Sequence, residues 1–236
     1  MEFGGAMVIV SGTADIQNCD FIGNESPQGG GIYSLGKTSL TNCTLSGNDG
    51  SGAGGAFSID SGTTTLTGCT VQENTSNGEQ GWGGGAYVAG TLILDDTNFV
   101  ENAATNRGVG GGVYLASGGT LEIKNGSSVS SNTATEAGGI ANAGGSVTFS
   151  DGMIVNNEAL MAGGVENLGT FTMSGGAITG NRATGTSADN GEDGLGVGGG
   201  VANISGTFTM TGGEIHSNTA TTGANDFYNC GEEDDG

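Results

Sequence analysis

Positive charge and proline are almost absent from this chain. Four cations, Lys37, Lys124, Arg107 and Arg182, stand against 25 acids, for a formal net charge of −21. Nucleic-acid binding draws its affinity from several Lys or Arg contacts to phosphate, so no nucleic-acid partner is expected, and anionic membrane surfaces are disfavoured for the same reason. A single proline excludes collagen despite 52 glycines, because the triple helix needs glycine at every third position and abundant proline. Aromatics reach only 6% and hydrophobic residues 34%, thin for a layered globule but suited to a narrow solenoid. No apolar run approaches the roughly eighteen residues of a spanning helix. No basic-then-apolar signal segment opens the chain. The first repeat starts almost at once, so the expectation is a fragment of a longer secreted protein, extracellular or on a cell surface.

What is present is a repeat. A Gly-Gly-apolar step recurs at Gly4-Gly5-Ala6, Gly30-Gly31-Ile32, Gly54-Gly55-Ala56, Gly84-Gly85-Ala86, Gly111-Gly112-Val113, Gly138-Gly139-Ile140, Gly163-Gly164-Val165 and Gly199-Gly200-Val201. Each is followed by an apolar-x-x-Asn step that ends at Asn24, Asn48, Asn74, Asn102, Asn132, Asn157, Asn181 and Asn218. Repeat starts lie 24 to 36 residues apart. Such a period signals a solenoid, in which one repeat cannot bury its own apolar face but a stack can. Between the two steps apolar and polar residues alternate, as in Phe171-Thr172-Met173-Ser174, which is strand periodicity. The reading is one all-β domain over residues 1–236, a right-handed parallel β-helix of about eight coils with three short strands each. Coils start near 4, 30, 54, 84, 111, 138, 163 and 199; a loop is inserted at 184–197, a partial ninth coil spans 223–230, and an acidic tail follows at 231–236. Stacked at about 4.8 Å per strand, eight coils give a rod on the order of 40 Å long.

In this frame Gly-Gly supplies positive φ at one corner and Asn tolerates the left-handed region at another, its side chains stacking into a ladder. A second asparagine column is expected at Asn142, Asn167, Asn203 and Asn229. Cys19, Cys43 and Cys69 recur two residues before the apolar residue of the Asn step. They should stack inward as small hydrophobes rather than ligate zinc, since a straight column cannot make a tetrahedron. A disulfide between neighbouring coils stays open, and Cys230 stands apart.

The pair Gly-Gly-Ala-Phe (Gly54 to Phe57) with Val71-Gln72-Glu73-Asn74, and Phe99-Val100-Glu101-Asn102, resembles the repeats of the chlamydial polymorphic outer membrane proteins. The strict Phe occurs only at Phe21 and Phe99; the other coils use Leu, Val or Ile. The resemblance implies a right-handed β-helix on a cell surface and an adhesive passenger; the family's C-terminal membrane barrel has no counterpart in these residues.

Candidate sites are few. Tyr33, Phe57, Tyr87 and Tyr114 follow the Gly-Gly-apolar step and should form an outward aromatic column, a ladder that stabilises the sheet or a strip for sugar rings. Asp189 and Asp193 sit in the inserted loop and partly mimic a calcium loop, but Gly200 stands where the bidentate Glu belongs. No cofactor is therefore expected, Ca²⁺ being the one weighed. Asp95-Asp96 has no cation in its own coil, and His216 should face solvent. No catalytic residue is assigned. The expected role is a non-catalytic adhesin-like or structural stalk that meets a host or cell-surface protein or glycan. The alternatives are a filament subunit adding head to tail and a carbohydrate-binding or carbohydrate-processing β-helix.

Overall fold

The computed structural model describes residues 3–186 and 196–230. The loop acids Asp189 and Asp193 and the acidic tail lie outside the described residues. Among the described residues every regular element is a strand, and every strand pair is parallel and joins successive repeats, with one register shift, between Ser26 and Gln28. The first sheet holds nine strands, from Met7–Ile9 to Phe227–Asn229. The second and third sheets hold eight each, beginning with Thr13–Gln17 and Asp20–Ile22. A fourth, shorter ladder follows each ladder asparagine, with four strands from Glu25–Gln28 and three from Glu158–Ala159, joined by bridges through Thr133. The three-strand expectation missed this one, because two-residue strands such as Thr75–Ser76 show no alternation to read.

Inside the coil, single columns of side chains fill the core. Phe21, Leu45, Val71, Phe99, Val129, Ile154 and Ile178 line the third sheet, and all but Phe21 are fully buried. Leu66, Leu92, Leu94, Leu121 and Ile123 do the same from the second. Burying one such aliphatic side chain contributes about 1.5–3 kcal/mol, so the stack gains stability rung by rung.

The corners refine the sequence reading. The ladder asparagines do not themselves take positive φ. The residue before each one does: Gly23, Gly47, Glu73, Glu101, Ser131, Asn156, Gly180 and Ser217, at φ of 56–67° apart from Ser131 at 55°. That left-handed step aims the Asn side chain inward. Asn102 Nδ2 then donates to Asn132 Oδ1 at 3.0 Å and to Val71 O at 3.0 Å, while its own Oδ1 accepts from the backbone N of Asn74 at 3.1 Å and from its Nδ2 at 2.9 Å. At the glycine corner the first of three residues carries the positive φ, as at Gly54 (67°), and the next cannot bear a side chain: a Cβ on Gly55 would sit 2.1 Å from Gly84 O. Aligned on this triplet, Gly54-Gly55-Ala56 matches Gly29-Gly30-Gly31, so Phe57 pairs with Ile32 and Ala86. Phe57 is therefore a fully buried core residue, not part of an outward column, and Ser58 takes the outward place. A one-residue offset turns every side chain to the opposite face.

The cysteine column also differs from the expectation. Cys43 and Cys69 are buried, Cys19 on the first rung is exposed, and all four cysteines are free thiols. Their position continues as Thr97 and Ser127, and its common task is hydrogen bonding. Cys43 N–H donates to Cys69 Sγ at 3.4 Å, Cys69 N–H to Thr97 Oγ1 at 3.2 Å, and Thr97 N–H to Ser127 Oγ at 3.0 Å. Burial pushes the Cys69 thiol up, which leaves it unreactive. The second asparagine column forms as expected, from Asn142 to Asn167, Asn203 and Asn229 with Nδ2–Oδ1 distances of 2.7 Å.

Asn102→Ala removes the acceptor of the Asn74 backbone N–H and the donor to the Val71 carbonyl, while Asn132 Oδ1 keeps the Asn102 backbone N–H, so it should destabilise the chain by about 2 kcal/mol or more. Asn98→Ala, on the exposed side of the same rung, should stay within about 0.5 kcal/mol. Urea unfolding of both variants checks the contrast.

Candidate functional site

The chain turns from the fourth ladder into the first sheet through a column that sits just ahead of the glycine triplet. Its members are Phe3, Gln28, Ala53, Trp82, Val109, Glu136 and Met161, joined rung to rung by parallel bridges. The outward column of the first sheet runs Val8, Tyr33, Ser58, Tyr87, Tyr114, Ala141, Glu166 and Ala202. The two columns meet across the corner. Phe3 lies against Tyr33 with ring centroids 4.5 Å apart, and Trp82 lies 6.2 Å from Tyr87 and 5.8 Å from Tyr114. Tyr87 and Tyr114 stack at 5.7 Å and 8°.

Along this corner the aromatic residues are not equivalent. Tyr33 is buried; its hydroxyl donates to Asp60 Oδ2 at 2.8 Å, while Ser58 Oγ donates to Asp60 Oδ1 at 2.9 Å. Burial, with Asp60 adding to it, pushes the Tyr33 phenol up to about 12. Tyr33 is thus a structural residue and cannot present its ring to a partner. Tyr87 and Tyr114 are half-buried, with phenols raised mainly by burial. Their rings stack along the axis, which spends much of each face on the other. Trp82, at 39% exposure, is the ring that remains open.

On its other side Trp82 forms part of a surface cleft of about 600 Å³. The remaining wall includes Pro27, Gln28, Ser51, Glu79, Gln80 and Arg107. That volume lies within the usual range of about 300–1,000 Å³ for small-ligand sites. Arg107 in its wall and the adjoining Asn106 both take positive φ, 67° and 55°, and Asn106 Nδ2 is tied to Asn77 O at 2.7 Å. Consecutive left-handed non-glycine residues carry a cost of about 1–3 kcal/mol each and gather at functional sites. Next to the cleft, Asp49 accepts from Asn77 Nδ2 at 2.5 Å and is raised by burial and by Glu25.

Trp82 was absent from the sequence reading because it lies in an irregular stretch between the asparagine and glycine corners. A signal existed: counted back from the glycine triplet, it occupies the same position as Gln28, Ala53, Val109 and Glu136.

Farther along the corner come two acids. Glu166 is only 6% exposed, and burial, then the charge of Glu136, pushes its carboxyl up to about 7. Among the described residues no hydrogen bond or ion pair holds that carboxyl.

The other acids are placed elsewhere. Asp95 pairs across the rung with Lys124, whose ammonium sits 2.9 Å from Glu122, so the next coil supplies the cation its own coil lacks. His216 is exposed beside Glu214, Nε2 to Oε2 3.5 Å. Among the described residues no group of three or more His, Cys, Asp or Glu could hold a metal ion. Among them, too, no helix is long and apolar enough to cross a membrane.

Parallel sheets in register, a column of single side chains and hydrogen-bonded corner ladders define a parallel β-solenoid. A family model described as "right handed beta helix region" matches residues 2–159, and the chain belongs to that family. Comparison with curated proteins and with solved structures gives no match.

The raised Glu166 carboxyl makes stability depend on pH. Its folded value lies above the ordinary one, so its full contribution is present below about pH 4.5 and is lost as pH rises through about 7. Glu166→Gln should match the parent at pH 4 and exceed it at pH 8 by on the order of 3 kcal/mol. Urea midpoints at the two pH values test this; an equal difference at both would contradict it.

Proposed function

We propose that the chain is a recognition module of an extracellular or cell-surface protein, an adhesin-like rod that holds a hydroxyl-rich glycan at the Trp82 corner and does not transform it. The observation that carries this reading is the open Trp82 ring, backed by Tyr87 and Tyr114 and standing in a 600 Å³ cleft with amide and hydroxyl side chains. A sugar offers both chemistries such a wall can use: C–H faces for an aromatic ring and hydroxyls for Gln28, Gln80 and Ser51. Glu79 and Arg107 are solvent-exposed, which suits hydrogen bonding better than proton transfer in a dry site. A net charge of −21 disfavours polyanionic glycans.

A second reading, head-to-tail assembly, is favoured by the terminal rungs. Val8, Val10 and Ile22 are exposed at one end and Met210 and Phe227 at the other. The strands Met7–Ile9 and Phe227–Asn229 each pair on one side only among the described residues. Unpaired edges of this kind accept further strands, and contacts that do not close build fibres.

Glycan-array screening followed by calorimetry tests the first reading. Trp82→Ala should weaken the best glycan at least about tenfold, or about 1.4 kcal/mol, whereas Tyr33→Phe should leave affinity unchanged. Negative-stain microscopy over a range of protein and salt concentrations tests the second. Long unbranched filaments that form equally with Trp82→Ala would make assembly, not glycan capture, the role of the rod.

A further inference from the structure

In most coils the stretch between the ladder asparagine and the residue ahead of the glycine triplet is short. Three residues separate Asn24 from Gln28, Asn132 from Glu136 and Asn157 from Met161, and four separate Asn48 from Ala53. Two successive coils are longer there, with seven residues between Asn74 and Trp82 and six between Asn102 and Val109. Both lengthened corners reach the Trp82 cleft, and each brings one exposed charge to it: Glu79 from the first, Arg107 from the second. Arg107 is the one cation among the residues that line it.

The extra backbone is held in place. Asn77 N–H donates to Gly50 O at 3.1 Å, Thr105 N–H to Ser76 O at 2.9 Å and Val109 N–H to Gly81 O at 2.8 Å. A Cβ on Gly78 would sit 2.0 Å from Ser51 O, so that turn lies directly on the coil before it. The two charged side chains are left over. Among the described residues neither makes an ion pair, although with Asn106 they line a further recess of about 520 Å³. An exposed Glu–Arg pair contributes little stability, so a ligand that enters between these two gives up almost nothing.

Opposite charges in one cleft with an open aromatic ring discriminate by sign. An anion meets Arg107 but also Glu79 and a chain of net charge −21, while a lone cation meets Glu79 and Trp82 but also Arg107. A group that carries both charges satisfies both. A quaternary ammonium gains from a tryptophan face and a nearby carboxylate, and a guanidinium fork matches two oxygens of a phosphate.

Resting on the glycan reading above, we propose that the Trp82 cleft takes a zwitterionic substituent of that glycan, a phosphate-linked quaternary ammonium of the phosphocholine type. The ammonium lies between the Trp82 ring and Glu79, and the phosphate lies on Arg107.

The test is calorimetry near pH 7 and physiological salt with phosphocholine, choline alone and inorganic phosphate alone. The parent chain should bind phosphocholine at least about tenfold more tightly than either half. Arg107→Gln should bring phosphocholine down to the affinity of choline, and Glu79→Gln should weaken phosphocholine and choline together. Trp82→Ala should weaken both as well. Parent affinity for phosphocholine no greater than for choline or phosphate, or a preference that survives both glutamine substitutions, overturns the zwitterion site. Array glycans still held through Trp82 would then leave the glycan reading standing. Capture on phosphatidylcholine vesicles with no array glycan bound would assign the group to a lipid and overturn the glycan as its source. If neither phosphocholine nor any glycan binds, both readings fall.

Discussion

Every rung of this rod depends on hydrogen bonds made to the next rung rather than within itself. The backbone ladders supply most of them, but the buried asparagines settle the corners, where the chain bends and backbone groups would otherwise be orphaned. Between the end rungs each ladder Asn gives its Nδ2 to the next Asn Oδ1 and to a carbonyl of the rung before, and receives an amide in return, as in Asn48, Asn74 and Asn102. A buried amide side chain is costly unless satisfied, and only the stack satisfies it. The last ladder member, Asn218, finds Asp226 Oδ1 at 2.9 Å in the place of a further asparagine.

That dependence explains the composition. Single-file columns need few aromatics and little apolar mass. Corners need residues that take the left-handed region or tolerate a neighbouring carbonyl at close range. It also explains the variety along one column: Cys43, Cys69, Thr97 and Ser127 differ chemically, yet Cys69, Thr97 and Ser127 each accept an amide from the rung before. What is held constant is an acceptor at a corner, not an element.

A regular rod leaves function to its irregularities. The rungs of coils three to seven present a corner whose outer residues differ from coil to coil. There the sequence places Trp82, then Tyr114, then Glu136 and Glu166, and the rigid ladder holds them in a line without ordering any flexible segment. Preorganisation of that kind lowers the entropic cost of binding.

The solenoid, its period, the asparagine ladders and the parallel stacking were legible in the sequence, because each repeat carries the same corner chemistry and repetition amplifies a weak local signal. The outward aromatic column was legible only in part. Tyr87 and Tyr114 fell where alternation put them, but Phe57 went to the core, since Gly54-Gly55-Ala56 begins one residue earlier relative to its strand than Gly30-Gly31-Ile32 does, and period-two alternation converts that offset into a change of face. Tyr33 kept its place yet was sealed by Asp60 and Phe3, contacts with residues 27 and 30 positions away. Nothing local joins Trp82 to Tyr114 or Glu136 to Glu166. Only the coiling of the chain, which sets residues some thirty positions apart on adjoining rungs, brought them to one corner.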